Sequence, residues 1–167
     1  MARTEPGAHA SAPVEIPQPV CGARPGAAHQ PIAMRVEGSG EVLATDVRTA
    51  RSLWARFMGL MGRRALMPGE GLWLPTDVGI HMLFMRFPID AVFLAPADGV
   101  GPAVWRVVAV RERLRPWRGV VWFVRGARGC LELEAGAVAR VGLRSGDTVR
   151  FEATSGGSPG SGAVAVA

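Results

Sequence analysis

His81, Arg86 and Asp90 interrupt an otherwise apolar run, GIHMLFMRFPIDAVFL, at residues 79–94. An imidazole, a guanidinium and a carboxylate in one short stretch can hold a polar ligand or exchange protons with it. Met82 and Met85 add soft donors that suit copper(I), and Met58, Met61 and Cys130 could extend the set. Strand geometry weighs against a metal. At about 3.3 Å per residue His81 and Met85 stand roughly 13 Å apart, and Met82 points to the opposite face. No His/Cys spacing of a recognised metal site occurs. The methionines read as fillers of core gaps, and no metal or cofactor is expected.

Arg86 and Asp90 are also about 13 Å apart on a straight strand. Pro88 lacks an N–H, fixes its own φ and pushes Phe87 out of helical conformation. RFPID is therefore expected to bend, bringing Arg86 and Asp90 together. That pair either braces a strand junction or lines the rim of a pocket. The second reading gives a cleft near residues 79–94, with His81, Arg86 and Asp90 as polar ligand-binding residues and Trp73 as an aromatic wall. The expected function is non-catalytic binding of a small molecule or protein segment.

Two other classes compete. A small enzyme would use His81 with Asp90 as an acid/base pair, and Asp77 also flanks His81. Ser52 lacks a nucleophile-elbow motif, and Cys130 opens an apolar strand where an inert thiol is usual, so no residue is assigned as catalytic. Residues 105–128, WRVVAVRERLRPWRGVVWFVRGAR, interleave arginines with Trp105, Trp117 and Trp122 in the manner of a single-stranded nucleic-acid groove. Arginine is frequent throughout the chain and no nucleic-acid fingerprint appears, so nucleic acid is not the expected partner.

These residues need elements to position them. In TARSLWARFMGLMGR (49–63), Leu53, Trp54, Phe57, Leu60 and Met61 form one stripe at helical period, with Thr49 as N-cap and Gly62 beyond the C-terminus. Elsewhere short apolar segments alternate with turns: EVLATDV, GLWL, IHMLFM, DAVFL, VWRVVAV, VVWFV, CLELE and TVRFE. AGAVARVGL suits a short second helix. The reading is mainly β, a compact sandwich or barrel of about eight short strands with one amphipathic helix. Long alternation of strand and helix is absent, which excludes a doubly wound fold.

The 167 residues suit one domain with tails. Residues 1–32 are rich in Pro and Ala and poor in large apolar residues, and 153–167 are rich in Gly and Ser, so both are expected to be disordered around a domain at 34–152. The net charge is +5, every basic residue is Arg, and Lys, Asn and Tyr are absent. That bias supports solubility and weak attraction to anions rather than a particular ligand. Cys21 and Cys130 sit in unlike settings and make no disulfide framework. The first residues lack an apolar core of the secretory type, and no run approaches the ~20 apolar residues of a membrane helix. A soluble, cytoplasmic monomer without membrane contact is expected.

Several motifs in linked order resemble one family. RFMGLMGRRAL, GLWL, IHMLFMRFPIDAVFL and CLELEAG…GLRSGDTVRF follow the order and spacing of domain of unknown function 192, over about residues 42–151. The resemblance implies a compact, mostly β fold and no agreed activity. Many members have a longer connection, with Asn and Thr, where Met85 here runs almost directly into RFPID. Glu134 stands where the family usually has proline.

Overall fold

The computed structural model describes residues 32–50, 60–61 and 63–153. Among them ten strands and one short helix follow in order: β1 (Ile32–Val36), β2 (Val42–Ala44), β3 (Asp46–Thr49), β4 (Glu70–Pro75), β5 (Ile80–His81), β6 (Ile89–Pro96), β7 (Val104–Leu114), β8 (Val120–Val121), β9 (Gly129–Glu134), α1 (Ala137–Val141) and β10 (Thr148–Ala153). The chain is mainly β, as its turn-punctuated apolar segments require. The amphipathic helix expected over 49–63 falls largely outside the described residues, as do both tails. Helix α1 is the short one expected at AGAVARVGL.

Eight strands form one sheet in the order β2-β1-β10-β7-β6-β9-β4-β3. All its pairings are antiparallel except β3 with β4. The two edge strands, β2 and β3, are separated only by Thr45. The sheet therefore curls until its two ends adjoin, with β1 against β3, although β2 and β3 form no ladder. EVLATDV was expected as one strand. It is two, and the break at Thr45 is the corner that closes the curl.

Two apolar clusters lie on opposite faces of the sheet. Inside are Met34, Leu43, Val47, Trp73, Val92, Leu94, Trp105, Val107, Leu131, Leu133 and Val149, with Val138 of α1. Trp73 meets Trp105 edge-on at 5.1 Å between ring centroids, and Phe151 at 5.4 Å. Outside are Leu74, Ile80, Met82, Met85, Ile89, Ala91, Phe93 and Cys130. β6 is central, and its residues from Ile89 to Ala95 are all buried. Alternation along it sends Val92 and Leu94 inward and Ala91 and Phe93 outward. β9 repeats the pattern, with Leu131 and Leu133 inward and Cys130 and Glu132 outward.

Gly129 lies against the ring of Trp73 on the neighbouring strand. A Cβ there would collide with the Trp73 ring, so only glycine fits where β9 passes that indole.

Candidate functional site

Residues 78–88 and 113–128 fold together as a flap over the outer cluster. β5 and β8 pair antiparallel, Ile80 with Val121 and His81 with Val120. The Met82 amide donates to the Gly119 carbonyl at 2.7 Å, Trp117 N–H to the Met82 carbonyl at 2.8 Å, and Val124 N–H to the Val78 carbonyl at 2.7 Å. Ile80, Met82, Met85 and Val124 face inward and are buried. Cross-strand neighbours share a face, so the His81–Val120 pair points the other way, to solvent.

That outer face is apolar and uncovered. Phe84 is 60% exposed, Trp117 58%, Trp122 88% and Phe123 67%, while Leu83 and Val120 are 43% and 41% exposed. Phe84 and Trp117 sit on adjacent turns with rings edge-on at 5.1 Å. Both hold left-handed backbone, φ 63° and 64°, a conformation that bulky residues rarely adopt. Strain of this kind persists where surrounding structure enforces it, and it concentrates at functional sites. Gly119 permits the turn, since a Cβ there would stand 2.7 Å from Met82 Cγ.

The four residues singled out from sequence fall into two places. His81 and Arg86 lie exposed on the flap. Asp90 is fully buried in β6, and Trp73 is 2% exposed in the inner core. The chain does leave its strand at Met82 and turns before Ile89. Yet the bend does not pair Arg86 with Asp90. Asp90 Oδ1 accepts from the Arg113 amide at 2.8 Å, and Oδ2 accepts from the Gly136 and Val138 amides at 2.9 and 3.0 Å. A buried carboxylate is satisfied as well by amides as by a guanidinium, and three amides were within its reach. His81 and Asp90 likewise form no acid/base pair among the described residues. Trp105 of the expected basic stretch is buried, whereas Trp117 and Trp122 are exposed.

One further ionisable group stands out. Glu132 is 8% exposed on the outward face of β9, and its Oε2 has no hydrogen-bond partner among the described residues. Burial, with a smaller push from Asp77, raises its carboxyl to about 8. Cys130, two residues earlier on the same face, is a free thiol whose acidity burial suppresses, helped by Glu132 and Asp77. No group of three His, Cys, Asp or Glu suited to a metal occurs among the described residues. No helix among them is long and apolar enough to cross a membrane.

The model of family DUF192, described as Uncharacterized ACR, COG1430, matches residues 34–151. Among solved structures, a Sinorhizobium meliloti 1021 protein provisionally described as a transcription regulator is 27% identical, with a TM-score of 0.57 over 77% of this chain and 98% of its own. A protein of unknown function from Novosphingobium aromaticivorans DSM 12444 shares the fold at 24% identity, with a TM-score of 0.59 over 89% of this chain and 99% of its own. No curated protein matches.

Proposed function

We propose that this chain, which belongs to the uncharacterised family DUF192, is a non-catalytic binding domain whose contact face is the flap. The observation that carries this reading is the concentration of exposed aromatic side chains on one small sheet and its two turns. Contiguous exposed apolar surface marks interaction sites on folded proteins. Tryptophan and arginine are the side chains most enriched among interface anchors, and His81 and Arg86 supply polar groups beside the rings. Exposure rather than enclosure favours a macromolecular partner over a small molecule, because small ligands bury most of their surface in concave sites. The provisional description of the Sinorhizobium neighbour as a regulator supports binding over catalysis. Asp90 and Trp73 serve this function from behind, by holding the strands beneath the flap.

A photoreactive benzoylphenylalanine at Trp122, compared with one at Val100, tests the reading in extracts of the source cells. Val100 is also exposed, at 55%, but lies on the turn between β6 and β7. Specific adducts at 122 and few at 100 are expected. Equal labelling at both, or labelling at 100 alone, would remove the flap as the contact face.

A further inference from the structure

The charge of the flap narrows the partner. Residues 78–88 and 113–128 contain six arginines, at 86, 113, 115, 118, 125 and 128, and no Asp, Glu, Ser, Thr, Asn or Gln. All six are exposed. Elsewhere among the described residues Arg35, Arg48, Arg63, Arg140 and Arg150 each meet a carboxylate, while Arg64, Arg106, Arg111 and Arg144 form no ion pair there. None of the six flap arginines forms an ion pair among the described residues. Arginine is frequent everywhere in this chain, but among the described residues the exposed rings of Phe84, Trp117, Trp122 and Phe123 all lie within these two arginine-bearing segments, which Asp77 and Glu112 border.

Resting on the flap as the contact face, we propose that its partner is single-stranded nucleic acid, bound without sequence preference. Guanidinium groups beside free aromatic faces match a phosphate backbone and unstacked bases in turn. Around β8, Arg118 in the turn before it and Trp122, Phe123 and Arg125 after it place charge and ring within eight residues. Every nucleotide offers a phosphate and every base a π-face, so rings and guanidinium groups of this kind can engage a strand of any sequence. Six unneutralised arginines repel a second copy of the same face. The aromatic residues are 58–88% exposed and the aliphatic ones only 41% and 43%, so rings rather than aliphatic chains are presented. That ordering favours stacking over insertion into lipid.

Fluorescence anisotropy with labelled oligothymidine and oligodeoxyadenosine of about 20 nucleotides, longer than the ~4–16 nucleotides a small β-barrel covers, tests the assignment. Both strands should bind at low salt with similar affinity, and duplex of equal length more weakly. Trp122→Ala should weaken binding roughly five- to a hundredfold. Replacing Arg115, Arg118 and Arg125 by Ala should flatten the log–log salt dependence by about two, at ~0.7 for each phosphate no longer neutralised. Unchanged melting temperatures of both variants would show that the fold is intact. No binding at low salt, binding indifferent to Trp122→Ala, or association with anionic phosphatidylglycerol vesicles in place of oligonucleotide would overturn the proposal. Adducts at position 122 containing protein and no nucleic acid would overturn it too, while leaving the flap as the contact face.

Discussion

Glu132 sits beside Cys130 on the outward face of β9, with one carboxylate oxygen unpartnered among the described residues. Its acidity is weakened from an ordinary 4.5 to about 8, chiefly by burial. The folded chain therefore keeps this proton in an interval where the unfolded chain has released it. The resulting stabilisation is full below about pH 4.5 and is lost as the pH climbs through about 8. Glu132→Gln cannot ionise. Its melting temperature should fall less than the parent's between about pH 5 and pH 9, and at pH 9 the variant should be the more stable, on the order of 1–3 kcal/mol. Parallel melting curves over that range would show that the carboxyl is solvated. The sequence hides this residue. Alternation in CLELE reads as a strand with one wet face, and nothing in it signals that this face is covered by the outer apolar cluster.

At the scale of elements, Asp90 does what local residues fail to do for α1. Gly136, at the helix entrance with φ 98°, has no side chain to cap it. The Asp90 carboxylate, 46 residues earlier, accepts the Gly136 and Val138 amides and ties β6 to both α1 and β7. Buried charge-assisted bonds of this kind are costly to break, because the amides are left unsatisfied. Asp90→Ala should lose about 3 kcal/mol or more in chemical denaturation, whereas Arg86→Ala should lie within about 0.5 kcal/mol of the parent. The double variant should show no coupling. Measurable coupling would restore the Arg86–Asp90 pair. The strands themselves were legible, because Gly, Pro and alternation punctuate them. Their lengths were less so. IHMLFM contributes only Ile80–His81 to a strand, and VVWFV only Val120–Val121, because the flap leaves the sheet and satisfies its backbone across two turns. The bend at RFPID was readable from Pro88, but the partner of Asp90 was not, since amides carry no signature in a sequence.

As a whole, the molecule separates a buried scaffold from the exposed face proposed for contact. The curled sheet buries one apolar cluster inside and a second beneath the flap, and the outward rings of Phe84, Trp117, Trp122 and Phe123 join neither. Membership of DUF192 was readable from the linked motifs, and the match over residues 34–151 bears it out. The face itself was half legible: His81 and Arg86 were singled out, while Trp117 and Trp122 fell in a basic stretch that was not the expected site, since nothing in the sequence distinguishes an exposed tryptophan from a buried one. The most direct check on the separation is a thermal melt of the chain with Phe84, Trp117, Trp122 and Phe123 all changed to Ser, without any partner. If the rings are kept for contact and not for folding, the melting temperature stays within a few degrees of the parent or rises, as exposed substitutions cost little. A fall as large as that of Asp90→Ala would mean that the rings hold the fold together, and the flap would not be a binding face.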